Sequence, residues 1–179
     1  MPRYIALLRA INVGGHTVKM DHLRKLFEAL SLSKVETFIA SGNVIFESRA
    51  SAAKLESRIA AHLQSALGYE VATFLRTPAE LAAVAERDAF SGKSSIGKPA
   101  ADMVAFLHQP PKPAAKQKLM ALRNAQDDFS IAGREVHWWC RTKVSDSKFS
   151  NAALEKALGV PATMRSITTL RKLAAKYPV

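Results

Sequence analysis

Apolar positions recur along this chain with two different periods. Tyr4 to Leu8 is a short continuous apolar run, the pattern of a buried strand. Met20, Leu23, Leu26, Phe27 and Leu30 then recur at helical spacing, predicting an amphipathic helix over Met20–Leu30 with Asp21 in its first turn. Val35–Ala40 and Val44–Glu47 are rich in Val, Ile, Phe and Thr, and Ser41-Gly42-Asn43 between them has turn chemistry, so the pair reads as a hairpin. Leu55, Ile59, Leu63 and Leu67 step by four along a second helix, with Ser51 placed to cap it and Gly68 to end it. The segment Glu70–Thr77, "EVATFLRT", supplies another strand before Pro78. The order β-α-β-β-α-β within residues 1–77 is the ferredoxin-like split βαβ arrangement.

After a helix over Pro78–Glu86 comes "FSGKSSIGKPAA", rich in Gly, Ser and Lys, so residues 78–100 read as a helix and linker. The pattern then restarts. Met103–Leu107 is strand-like and "HQPPKP" breaks it. Lys116–Asn124 forms a helix on Leu119 and Leu122, and Phe129–Ala132 with Glu135–Cys140 forms a hairpin around Gly133-Arg134. Ala152–Leu158 is a helix between Ser150 and Gly159. An extended piece over Ala162–Ser166 and a helix over Leu170–Tyr177 finish the chain. Residues 101–179 thus repeat the element order with one helix added. The fold class is α+β: two tandem ferredoxin-like units, each an antiparallel sheet with helices on one face.

Composition changes this picture little, and charge changes it more. At 48% hydrophobic and 23% charged the 179 residues are ordinary globular material. The single Cys140 excludes an intramolecular disulfide and fits a reducing compartment. The N-terminal apolar run is too short for a signal peptide, and no run approaches the roughly 18 residues that span a bilayer. A cytoplasmic protein without membrane partners is expected. The net charge is +11, and it is uneven: residues 1–90 carry 11 Lys/Arg and 9 Asp/Glu, a net of +2, while the rest carry 15 and 6, a net of +9. Such an excess attracts polyanions, although a solvated basic surface is the readier account of it.

Topology concentrates the candidate chemistry. In a split βαβ unit the third strand runs between the first and second, opposite to both. The end of strand one, the start of helix one and the turn between strands two and three therefore share one end of the sheet. That brings Arg9, Asn12, Gly14, Gly15 and Lys19 beside Ser41, Gly42 and Asn43. Glycine-exposed N–H groups, a helix N-terminus and two cations each favour an anion. The competing reading is structural: the glycines permit positive φ in turns, Asn43 tolerates a left-handed turn, and Arg9 pairs with a carboxylate.

Formal motifs are absent. "VGGHTVK" is neither G-x-G-x-x-G nor a P-loop, and "SGKS" at Ser91–Ser94 lacks the earlier glycine a P-loop needs. The five histidines are scattered and no metal-ligand spacing occurs, so neither a metal nor a cofactor is expected. His16 reads as a solvated loop residue rather than a general base, and Cys140 as a structural thiol. In "GREVHWWCRTK" alternation puts Trp138 and Trp139 on opposite sheet faces. One is core, and the other either packs or stacks a base beside Arg134, Arg141 and Lys143.

Three segments together are familiar: the first 47 residues with "RAINVGGH" and "SGN", then "REVHWWCRTKVSDSKFSNAALEKALGVPATMRS", then "ITTLRKLA". They resemble a widespread, mainly bacterial family known as domain of unknown function 1697. The resemblance implies ferredoxin-like α+β domains and brings no activity, cofactor or substrate. The family's motif falls on Arg9, Ile11, Asn12, Val13, Gly14, Gly15, Ser41, Gly42 and Asn43; position ten is usually glycine there and is Ala10 here. A serine-lysine pair is matched by Ser147-Lys148. Where the family favours threonine-arginine-asparagine-tryptophan this chain has Met164-Arg165-Ser166-Ile167, keeping only Arg165.

The favoured function is binding of an anion, a nucleotide or nucleic-acid phosphate, by Arg9, Asn12, Gly14, Gly15, Lys19, Ser41, Gly42 and Asn43 with Lys148 and Arg165 in support. The alternatives are an enzyme on a small phosphorylated or carboxylated substrate and a scaffold or oligomerisation module. No nucleophile–base pair can be named for the enzyme.

Overall fold

A computed structural model describes residues 1–12, 15–39, 42–91 and 98–179. The chain forms two compact units, one of Met1–Ala82 with Leu173–Val179 and one of Ala83–Lys172.

The first unit contains β1 (Arg3–Leu8), α1 (Met20–Glu28), β2 (Ser33–Thr37), β3 (Asn43–Glu47), α2 (Ala52–Leu67) and β4 (Thr73–Arg76). Its strands lie in the order β2-β3-β1-β4, every neighbouring pair antiparallel. β3 pairs with β1 from Arg3 opposite Glu47 to Leu7 opposite Asn43. The ferredoxin-like order expected from the hydrophobic pattern is therefore present. One sheet face packs Ala6, Leu8, Val44, Phe46 and Leu75 against Leu23 and Phe27 of α1 and Leu55, Ile59 and Leu63 of α2. Removal of each such large side chain from water is worth about 1.5–3 kcal/mol. Ile5, Leu7 and Phe74, on the opposite face, are buried as well.

The second unit follows the helix α3 (Pro78–Glu86) and repeats the plan: β5 (Ala101–Phe106), α4 (Pro113–Met120), β6 (Asp127–Ala132), β7 (Glu135–Cys140), α5 (Asn151–Leu158) and β8 (Thr163–Ser166), then α6 (Ile167–Lys176). The sheet order is β6-β7-β5-β8, again antiparallel throughout. Ala105, Phe129, Val136 and Trp138 pack on Leu119, Leu154 and Leu158. The two registers correspond. Arg76 of β4 lies opposite Ile5 of β1, and Arg165 of β8 lies opposite Val104 of β5. Each arginine donates from Nη1 to the carbonyl before it at 2.8 Å.

Several boundaries differ from the sequence-based expectation, and the reasons are local. β2 begins and ends earlier than Val35–Ala40, because Lys34 (φ 49°) carries a register shift and Ile39 (φ 59°) turns the chain off the sheet. α4 starts at Pro113, which suits a first helical turn, and stops at Met120. Asn124 ends the run: its Oδ1 accepts from the N–H groups of Gln126 and Asp127, an Asx turn that leads into β6 and leaves Leu122 exposed. α6 starts at Ile167, with Ser166 Oγ accepting from Thr169 N. Finally, Leu173–Val179 belongs to the first unit, not to residues 101–179. Tyr177 donates its hydroxyl to Glu36 Oε2 at 2.7 Å and sets its ring edge on Phe38. Among the described residues no helix is long and apolar enough to cross a membrane.

Candidate site at the loop between strand one and helix one

The segment between β1 and α1 is pinned by its own side chains and by its neighbours. Leu8 N donates to Gly42 O and Arg9 N to Ala72 O, both at 2.9 Å, so the loop leaves the sheet between the β2–β3 turn and the start of β4. Ala10 then adopts φ 57° and Gly15 φ 84°. The first is strained for a residue with a Cβ; the second is the conformation glycine permits freely. Asn12 Oδ1 accepts from Val18 N at 2.8 Å and ties the two ends of the loop together. Tyr69, just beyond α2, donates to Ile11 O at 3.3 Å, and the His16 ring stacks on its phenol with centroids 3.8 Å apart. Burial raises the Tyr69 hydroxyl above the usual tyrosine value, which keeps it a donor.

Of the turn expected to lie beside this loop, Gly42 is described and does lie there. Gly42 (φ 79°) backs directly onto it: a Cβ at that position would stand 2.6 Å from Ile11 Cγ2 and 3.2 Å from Leu8 Cβ. Asn43 corrects the reading that made it a turn residue. It is the first residue of β3, buried, opposite Leu7, and its Nδ2 donates to Phe38 O at 2.9 Å while its own carbonyl accepts from Phe38 N. Asn12 and Asn43 thus spend these groups on holding the backbone. Gly14 and Ser41 lie outside the described residues, as do Gly92-Lys93-Ser94 of the "SGKS" segment.

Two cations border the loop. Arg9 is half-buried, and Gly15, His16 and Lys19 are exposed. Lys19 occupies the N-cap of α1 in extended conformation with no side-chain cap hydrogen bond. The first N–H groups of α1 therefore have no side-chain cap from this residue, and the residue in the capping place is a cation at the positive end of the helix. Asp21 offsets this in part, its side chain almost fully exposed and 4.0 Å from Arg24.

Lys148 and Arg165 belong to the second unit and are unlike one another. Lys148 is exposed. Arg165 is buried in β8, where Nη1 donates to Thr163 Oγ1 and to Met164 O, both at 2.8 Å, and burial depresses its pKa to about 10. It braces the edge strand from within. Ser147 likewise works inside the fold. Its hydroxyl donates to the buried Asp127 carboxylate, which takes a further hydrogen bond from Trp138 Nε1 at 2.9 Å. Trp138 and Trp139 do face opposite ways. Trp138 is core, while Trp139 is half-buried and stacked on Phe90 with centroids 4.7 Å apart. Cys140 is buried with Sγ 3.4 Å from Thr142 Oγ1. Among the described residues no group of three His, Cys, Asp or Glu could hold a metal ion.

Two features escaped the sequence reading. Tyr69 carried no motif, and only its place after Gly68 marks it. The strain at Ala10 had a signal only in the family resemblance, which implies glycine at that position.

The chain belongs to the family described as Protein of unknown function (DUF1697), whose model matches residues 1–137. The match includes Arg9, Asn12 and Asn43 and stops before Lys148 and Arg165. A solved structure of a conserved bacterial protein from Streptococcus pneumoniae is similar at 25% sequence identity and a TM-score of 0.71, covering 100% of this chain and 99% of that one. No curated protein matches the chain.

Proposed function

We propose that the protein binds a phosphate-bearing anion, a nucleotide or a nucleic-acid phosphate, at the loop between β1 and α1. The observation that carries this reading is the start of α1: an exposed lysine stands at the N-cap with no side-chain cap, directly after a loop that bends through Gly15. A cation there adds to the positive end of the helix dipole, and an anion bound to the N–H groups would offset both. Arg9 supplies a second positive charge from the other end of the loop. Asn12, Gly42, Asn43 and Tyr69 act as the frame that holds the loop in shape. A single buried cysteine suits a reducing compartment, and we place the protein in the cytoplasm on that ground.

The test is amide NMR with inorganic phosphate and pyrophosphate at about 50 mM salt, where phosphate contacts are strongest. Progressive, saturable shifts of the Gly15, Lys19 and Met20 amides are expected, and Lys19→Ala with Arg9→Ala should abolish them. Unmoved amides at millimolar pyrophosphate, or shifts that survive the double substitution, overturn the reading.

A further inference from the structure

The second unit contains a cavity of about 290 Å³ between the end of α4, the Asx turn at Asn124 and the last residues of β7. Its wall brings together Arg123, Asn124, Gln126, Asp128, Trp139 and Arg141. We propose that this cavity is a second binding site, independent of the loop in the first unit, for a planar nitrogenous base carrying a phosphate.

Four observations converge. Trp139 presents a half-buried indole whose position is set by the Phe90 ring stacked on it at 4.7 Å and 16°. A large, immobilised aromatic beside open space is a platform for a flat ring, since every base has a π-face to stack. Arg141 is exposed, and its backbone is fixed by the hydrogen bond from its N–H to Gln126 O; among the described residues its guanidinium has no ion-pair partner. It is the wall's available cation for a phosphate, by charge and by its planar fork of donors. The wall's acidic groups are already engaged. Arg123 Nε stands 2.8 Å from Asp128 Oδ1, which also accepts from Phe129 N, and Asp127 takes its hydrogen bonds from Trp138, Ser147 and Asn124. The Asp128 charge is thus balanced by Arg123, and the Asp127 carboxylate is buried with its oxygens turned to these three donors. Size makes the assignment narrower: the volume is at the small end of ligand cavities, which run from roughly 300 to 1,000 Å³, and suits one base with its phosphate rather than a dinucleotide.

Trp139 also makes the site observable, because the protein's other tryptophan, Trp138, is sealed in the core. The experiment is a fluorescence and calorimetric titration of the full chain with adenosine 5′-monophosphate, adenosine, inorganic phosphate and a single-stranded oligoadenylate at about 50 mM salt. Adenosine monophosphate should quench saturably, with adenosine weaker on the order of 10-fold and phosphate silent. Arg141→Ala, an exposed change that leaves the fold intact, should weaken the monophosphate on the order of 10-fold and adenosine hardly at all. Trp139→Phe should remove the quenching while calorimetry still registers heat of binding. Oligoadenylate binding tighter than the monophosphate, with a steep salt dependence, assigns nucleic acid as the source of the ligand; equal affinity assigns the free nucleotide. No quenching at millimolar monophosphate, or an affinity unchanged by Arg141→Ala, overturns the proposal. Arg9→Ala with Lys19→Ala leaves the Trp139 quenching by adenosine monophosphate unaltered, whatever heat it removes at the first-unit loop, so the two sites stand or fall separately.

Discussion

Gly42 and Ile11 touch so closely that no side chain fits between them: a Cβ on Gly42 would stand 2.6 Å from Ile11 Cγ2. Far apart in sequence, they join the β2–β3 turn to the loop that opens α1. Gly42 also has φ 79°, where an L-residue is strained whatever the space. Gly42→Ala is therefore expected to cost about 2–4 kcal/mol, from overpacking and backbone strain together. Urea unfolding measures it. Combining Gly42→Ala with Ile11→Ala should cost less than the two single changes added; strict additivity would contradict the contact.

Ala10 holds φ 57° one residue after Arg9. The left-handed conformation costs an L-residue about 1–2 kcal/mol, and the greater freedom of glycine in the unfolded chain takes back part of the gain. Ala10→Gly should stabilise the protein by about 0.5–1 kcal/mol net, read as a higher urea midpoint with unchanged slope. A lower midpoint would show that the Ala10 methyl contributes more by packing than its backbone loses by strain.

Asp127 is the buried acceptor on which Trp138, Ser147 and Asn124 converge. Asp127→Ala leaves a buried indole N–H and a half-buried hydroxyl without their acceptor, and should cost about 3 kcal/mol. Asp127→Asn keeps one acceptor oxygen and should cost visibly less. Equal losses for the two would mean that shape at this position matters more than hydrogen bonding. Near-ultraviolet circular dichroism, which reports the packing of Trp138, should follow the same ranking.

His137 is buried in β7, and burial with the nearby Arg87 charge holds its pKa down to about 4, against 6.5 for the free side chain. Because the folded value lies below the unfolded one, the unfolded chain takes up the proton first. Stability is then complete above the unfolded pKa and falls as the pH drops from about 6.5 towards 4, by up to about 3 kcal/mol. Asp102 works against this trend, since burial raises its carboxyl and favours the protonated folded form as pH falls. The difference between the wild type and His137→Leu isolates the histidine. Urea midpoints at pH 7.5, 6 and 5 should fall more steeply for the wild type, and parallel profiles would refute the assignment.

Much of the architecture was legible from periodicity. Alternation and helical spacing located the strands of both sheets and the helices that cover them, because a residue buried on one face must recur with the period of its element. Element order then predicted that the Arg9–Lys19 loop and the Ser41–Asn43 turn would meet, and the contact between Gly42 and Ile11 is where they do. Composition alone left the roles of individual polar residues open. Asn12 and Asn43 could equally have faced a ligand or the backbone. Val18 N and Phe38 O, brought within 2.8 and 2.9 Å by packing, decided for the backbone. Arg165 read as support for a bound anion; its burial, which the sequence did not signal, comes from β8 placing it opposite Val104. Trp139 acquires its platform from Phe90, a residue on a distant segment of the chain. A side chain's period is a property of its own segment, but its hydrogen-bond partner and its access to water are set by whichever distant residues the fold packs against it.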